Sequence, residues 1–180
     1  MITRRHGVNG RNVITALLCA AWLVTFEARA ATAPIKLALF DFELEDFSAG
    51  TSSTDVTSSD AVHLASVTEM VRQLFVQSGR YRLIDIAAVE APAVRTHTLR
   101  DCNGCDADIA LQAGAEQSLV GVVSRISRTE YVVKFQVRDA HTGAVVAAAD
   151  SGLRMGADYS WSRGATRLIK EQLLESRLER

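Results

Sequence analysis

Proline occurs only twice in this 180-residue chain and glycine eleven times, which excludes collagen-like and proline-rich classes. No sign of charge dominates either. With 20 Lys+Arg against 21 Asp+Glu, a generally basic nucleic-acid binder is excluded. The G-x-S-x-G, S-x-x-K, G-x-G-x-x-G and P-loop patterns are absent, and with them the common hydrolase and nucleotide-binding signatures. After the first thirty residues no apolar stretch is long enough to cross a bilayer. What the chain does have is 48% hydrophobic and 23% charged residues, the balance of an ordinary globular protein, so wholesale disorder is excluded. Its length supports one domain, or a domain plus a targeting segment.

Residues 1–30 stand apart from the rest. Arg4, Arg5 and Arg11 give a basic start with no acid before Glu27, residues 13–26 are an apolar run, and Ala28-Arg29-Ala30 puts small residues where a signal peptidase reads. This is the pattern of a secretory signal peptide, with cleavage expected after Ala30, although Ala31-Thr32-Ala33 fits the same rule three residues on. The apolar run is shorter than the roughly 20 residues a spanning helix needs, which argues against a retained anchor. Cys19 follows Leu18 in mid-run, the wrong setting for lipidation, and His6, Gly7 and Asn9 break a twin-arginine pattern after Arg4-Arg5. Removing residues 1–30 takes away four arginines and Glu27, leaving 16 Lys+Arg, 20 Asp+Glu and a formal charge of −4. Such a chain has no electrostatic case for DNA, RNA or anionic lipid. The expectation is a mature protein in a bacterial periplasm.

Within the mature chain, residues 35–42 read as a buried strand. The Ser/Thr-rich stretch 48–58 reads as a flexible loop, because small hydroxylated residues bury too little apolar surface to offset ordering. Ser59 or Asp60 can cap the helix that follows, where Leu64, Val67, Val71, Leu74 and Phe75 recur at spacings of three and four, and Gly79 can end it. Residues 81–86 read as a second strand and 87–94 as a short helix. A further helix starts at Asp106 or Asp108 and runs to Gly114. Residues 119–123 suit a central strand; 131–138 alternate as a half-exposed one, with Val133, Phe135 and Val137 facing inward. Residues 139–143 make a hairpin loop and 144–153 return as the next strand. Trp161, Ala165, Leu168, Ile169 and Leu173 form the apolar stripe of a closing helix capped by Asp158 or Ser160. The order β-α-β-(α)-α-β-β-β-α predicts an α/β fold with a single mixed sheet of about five strands and helices packed on it.

Several segments occur in the order found in a known family: Leu37-Ala38-Leu39-Phe40-Asp41-Phe42, Ser78 to Asp85, Cys102-Asn103-Gly104-Cys105 running on to Ala110, Gly121-Val122-Val123-Ser124, Arg138 to Gly143, and Ser160 to Gly164. The chain resembles the exported bacterial domain-of-unknown-function family of the DUF2380/DUF3280 type over nearly all of its mature length. More distantly, the element order is similar to that of the TolB N-terminal and CsgG-like periplasmic domains. That resemblance implies action through protein contacts in envelope assemblies rather than catalysis, although a fold does not fix a function.

The Cys102–Cys105 pair is the sharpest local feature. In an exported chain with two mature cysteines a disulfide is the default, and Asn103-Gly104 can turn tightly enough to close it. A redox reading rests on a C-x-x-C at a helix start, which lowers one thiol pKa, but Asp101, Asp106 and Asp108 oppose a thiolate, and neither Pro34 nor Pro92 is placed against the pair as in thiol oxidoreductases. Haem attachment needs a histidine where Asp106 stands. A zinc site would join His97 to the two thiolates, one ligand short of the usual four, with His63 and His141 on other elements. No metal or other cofactor is expected.

Asp41 and Asp85 each fall near the end of a strand, where open α/β sheets hold ligands, so they are possible ligand contacts; the plainer reading is that each caps a turn. Trp161 with Arg163 is a possible partner contact, because Trp and Arg dominate such sites, although Trp161 also falls on the apolar stripe and fits the core. The expectation is a non-catalytic periplasmic binding or assembly-accessory domain acting on an envelope protein. The alternatives are a thiol-disulfide redox protein using Cys102 and Cys105, or a small-ligand or metal binder.

Overall fold

Two long strands organise the molecule, β4 (Gln117–Ser127) and β5 (Glu130–Asp139), paired antiparallel with Val123 opposite Val133. The computed structural model describes residues 33–48, 56–89, 91–96 and 98–175. The expected export signal with Cys19, most of the Ser/Thr-rich stretch and His97 lie outside these residues.

In chain order the elements are β1 (Ile35–Leu39), β2 (Glu43–Asp46), α1 (Ser58–Ser78), β3 (Tyr81–Leu83), α2 (Pro92–Arg95), a 3-10 turn (Leu99–Asp101), α3 (Cys105–Gln112), β4, β5, β6 (Val145–Asp150), β7 (Arg154–Met155), a second 3-10 turn (Asp158–Ser160), α4 (Trp161–Ile169) and a π turn (Lys170–Glu175). One mixed sheet runs β3-β1-β4-β5-β6, with β1 parallel to both β3 and β4, and β6 antiparallel to β5. The α/β class and mixed sheet agree with the sequence reading; the strand number does not. The sheet has seven strands rather than about five, because β4 and β5 are longer than the neighbours expected for them. The spare backbone groups of β4 are taken by β2, in line with β1, and those of β5 by β7, in line with β6.

Helices α1 and α4 cover one face of the sheet. There Val67, Val71, Phe75, Trp161, Ala165 and Ile169 meet Leu37, Leu119, Val123, Val133 and Val137. The opposite face is covered only in part: Ala91, Leu99, Ile109 and Ala110 pack on Ala38, Phe40, Val120 and Val122. Beyond β4, no helix among the described residues belongs to the cluster covering that face of β5, which carries Lys134, exposed, and Gln136 and Arg138, partly exposed. At Gly121 a Cβ would come within 2.3 Å of the Phe42 ring, so glycine leaves the room that ring takes against the central strand.

Local boundaries moved for identifiable reasons. The cap of α1 is Thr57, not Ser59 or Asp60: its hydroxyl accepts from the Asp60 amide at 3.1 Å while the Asp60 carboxylate accepts from the Thr57 amide at 3.2 Å, a capping box. Gly79 ends the helix in the left-handed region, φ 64°. The strand after it stops at Leu83, because Asp85 Oδ1 accepts from the Ala87 amide at 2.9 Å and turns the chain. Only one helical turn follows, beginning at Pro92, a residue suited to a first helical position. Helix α3 begins at Cys105, ahead of the expected Asp106 or Asp108. Ser160 precedes α4, but its hydroxyl donates back to the Ala157 carbonyl at 2.6 Å and so caps nothing.

Candidate functional site

The uncovered strip of the sheet is bounded on one side by the turn Cys102-Asn103-Gly104-Cys105. Asn103 (φ 50°) and Gly104 (φ 114°, ψ 0°) both have positive φ, as a type I′ turn requires and as an Asn-Gly pair favours. The turn brings Cys102 and Cys105 together, and a disulfide joins them. A loop this short gains roughly 2 kcal/mol from closure in the chain-entropy model, so the bridge acts mainly on the local shape of the turn.

Carboxylates fasten the turn on both sides. Upstream, Glu43 on β2 is 1% exposed; its Oε1 accepts from the Leu99 amide at 2.7 Å, and its Oε2 from the Arg100 guanidinium at 2.8 Å. A buried carboxylate is tolerated when its lone pairs are used in this way. Downstream, Asp106 in the first turn of α3 is also buried. It accepts from the Ser118 hydroxyl and lies 3.5 Å from Arg138 Nε. Its charge also suits the helix N-terminus.

Between this turn and β6 lies a groove of about 550 Å³. Its floor is Val120 and Val122 of β4 with Lys134, Gln136 and Arg138 of β5. Asn103, Gly104 and Asp106 wall one side, and Ala148 and Asp150 of β6 the other. Arg138 donates to the Gly143 carbonyl at 2.9 Å. With the Gln136 amide oxygen turned toward the guanidinium, it also donates to that oxygen at 2.7 and 2.8 Å. Lys134 Nζ donates to Glu45 Oε2 at 3.0 Å, and the Ser124 hydroxyl donates to the same oxygen at 2.9 Å. Burial pushes the Glu45 carboxyl up, but the hydrogen bonds from Lys134 and Ser124 and the Lys134 charge outweigh it, so Glu45 titrates below its ordinary value. The groove's cations are therefore engaged by fixed acceptors. Chemically it offers a shaped surface of oriented polar groups over an apolar floor.

The residues singled out from sequence do not converge here. Asp41 is exposed, 4.0 Å from Arg72 of α1, and lines a different groove of about 630 Å³ between α1 and residues 41–44. Asp85 is occupied with its own turn. Trp161 is 1% exposed and packed in the core, the alternative that its place on the apolar stripe offered. Its position at the start of α4 points it under Arg125 and beside His63, whose ring is edge-on at 6.1 Å. Arg163 is exposed and lines a shallow cleft with Met70, Thr166 and Arg167. None of the expected site residues lines the groove on β5; Cys102 and Cys105 flank Asn103 and Gly104, which wall it.

Sequence reasoning missed Glu43 and Arg125. Arg125, facing the α1 and α4 side of β4, donates to Asp46 at 2.6 Å, to Asp60, and to Asp158 at 3.2 Å. It thereby joins β2, the first turn of α1 and the turn before α4. For both Asp46 and Asp60 burial raises the pKa, and hydrogen bonds and the guanidinium charge outweigh it, so both titrate below the ordinary carboxylate range. The available signal was an arginine on the inward alternation of an otherwise apolar strand. The polar face of β5 was legible as a face, without the walls that make it a groove.

Among the described residues no group of three His, Cys, Asp or Glu is arranged to hold a metal ion, and no helix is long and apolar enough to cross a membrane. No curated protein sequence matches the chain. Among solved structures it is similar to the LpoB C-terminal domain from Salmonella enterica (15% identity, TM-score 0.48, covering 71% of this chain and 87% of that one). It is also similar to the PelC dodecamer from Paraburkholderia phytofirmans (21%, 0.45, 79% and 86%) and to TolB from Acinetobacter baumannii (15%, 0.45, 75% and 28%). The family model DUF3280, described as "Protein of unknown function (DUF2380)", matches residues 35–173, which takes in every strand, the disulfide turn and α4, and the chain belongs to that family.

Proposed function

We propose that this is a non-catalytic binding domain of the bacterial periplasm that engages a protein of the cell envelope through the open face of its sheet. The observation that carries this reading is the row Lys134, Gln136 and Arg138, uncovered between the disulfide turn and β6 with each group held in place by neighbours. Preformed geometry of this kind lowers the ordering cost of association. The cations already have fixed acceptors, which suits recognition by shape and hydrogen bonding more than acid–base chemistry. Asp101 and Asp106 flank the disulfide and disfavour a thiolate, which supports a bracing role for the bridge. Export is supported by the basic, apolar and A-x-A order of residues 1–30, and by a disulfide, which persists in oxidising compartments.

The test is site-specific photo-crosslinking in the producing bacterium, with a benzoylphenylalanine probe at position 136, and at 163 as a comparison. A discrete protein adduct from 136 that fades in Lys134→Glu supports the reading. Adducts from 163 but not from 136 overturn it.

A further inference from the structure

The sheet has two lateral edges, and they are built differently. At one edge β3 is three residues long and presents Arg82 to solvent, two devices that discourage pairing with another chain. At the other, β6 reads Val-Val-Ala-Ala-Ala-Asp, with no proline and no lysine, and exposed Val145 and Val146. Ser151, next in line, donates its amide to Val133 of β5. Alternation along an antiparallel strand then directs Ala149 and Ala147 toward β5 and leaves the backbone N–H and C=O of Ala148 and Asp150 pointing away from the sheet. A register shift opposite Val137 and Arg138 makes Val146 a bulge, so the regular free edge runs from Ala147 to Asp150.

Charge identifies what fits this edge. Lys134 is the residue opposite Asp150 on β5, yet its ammonium reaches back to Glu45. Among the described residues Asp150 has no ion-pair partner; its Oδ1 accepts only from the Gly152 amide. A second copy of β6 would bring apolar side chains and another carboxylate, but no base. We propose that the free edge of β6 accepts an extended segment of a partner protein as an added strand, pairing with Ala148 and Asp150 and placing a lysine or arginine beside Asp150. The inference rests on the reading of this domain as a binder of an envelope protein, and it names the mode. Main-chain hydrogen bonds supply affinity, and the alternating side chains supply selectivity. Because Ala148 and Asp150 also wall the groove, the added strand closes its open side.

Crosslinking of the full chain in the producing bacterium tests this, with probes at 146 and, for the guarded edge, at 82. Adducts are digested and the linked peptide sequenced. The expected peptide comes from another protein and carries Lys or Arg within two residues of the point opposite Asp150. Ala148→Pro deletes the outward N–H and leaves the β5 pairing intact, so it lowers the adduct at least tenfold with an unchanged thermal melt. Asp150→Lys lowers it similarly. An adduct equally strong in Ala148→Pro, an adduct between two copies, a linked segment without a base, or no adduct from 146 overturns the inference. The groove probe at 136 keeps the two claims apart: an adduct there with none from 146 leaves the binding role standing and removes strand addition.

Discussion

The guanidinium of Arg125 lies 5.1 Å from the centroid of the Trp161 ring, while its nitrogens hold Asp46, Asp60 and Asp158. One side chain therefore connects β2, the first turn of α1 and the turn leading into α4, and it sits on an aromatic face that strengthens with desolvation. Arg125→Met leaves Asp60 buried without its cation. Breaking a buried pair by removing one partner typically costs about 3–5 kcal/mol. We expect a urea midpoint lowered accordingly, with the transition slope unchanged. Arg125→Lys keeps charge but loses the planar fork, and should fall between the two. Equal midpoints for wild type and Arg125→Met would show that the cluster contributes nothing to stability.

Acid should unfold the domain through the same cluster. Asp46 and Asp60 titrate below 3.8 and Glu45 below 4.5, their ordinary values, because hydrogen bonds to the charged forms outweigh burial. A carboxyl whose folded pKa is depressed contributes stability that is complete above its unfolded value and lost as pH falls through its folded value. Stability should therefore be level from neutral pH down to about pH 5 and decline steeply below about pH 4. Asp60→Asn lowers stability at neutral pH and flattens the acid limb, since one linked proton is removed. Urea midpoints across this range, for both proteins, read out the difference in slope.

Gly121 provides a test of packing on the central strand. A Cβ there meets three carbons of the Phe42 ring, the nearest at 2.3 Å, and the ring belongs to the fully buried core. Overpacking of this kind costs typically about 1–3 kcal/mol. Gly121→Ala should lower the thermal midpoint, and Phe42→Leu in the same chain should recover part of the loss by opening space. The two changes are then less than additive, as expected for groups in contact. Full additivity in a double-mutant cycle would mean that the ring moves aside at no cost.

Much of this architecture was legible because apolar periodicity follows burial. The stripe Leu64, Val67, Val71 and Phe75, and the inward set Val133, Phe135 and Val137, sit where their spacing placed them. What the spacing concealed were pairings decided by length elsewhere in the sheet. Nothing local marks Glu43 to Asp46 as a strand; it pairs because β4 extends beyond β1. Glu43 is the plainest case: a charged residue buried to 1% exposure, because the Leu99 amide and Arg100, 56 and 57 residues away, come to its carboxylate. No local pattern announces such a partner. The groove was half visible for the same reason: the alternation of β5 showed a polar face, and its walls come from a turn some thirty residues earlier and a hairpin ten residues later.

The disulfide separates a brace from a redox centre by measurement of its potential. Cys102 and Cys105 close a turn whose Asn103-Gly104 conformation is independently favourable, and Asp101 and Asp106 stand beside it. Both features predict a stable bridge and a poorly stabilised thiolate, hence a reduction potential below roughly −300 mV when alkylated mass is followed across thiol redox buffers. A potential between roughly −200 and −120 mV, where exchange catalysts lie, would instead make the pair a reactive centre. Stability gives an independent reading. Since the closed loop is short, the paired change Cys102→Ser and Cys105→Ser should cost only about 2 kcal/mol and leave a folded domain. Hydrogen exchange in that variant should speed up at the turn and the start of α3, which the bridge holds, and not in β4 or β5, whose ladder does not depend on it. Loss of protection throughout the sheet would mean that the bridge supports the whole fold and that the short-loop argument fails.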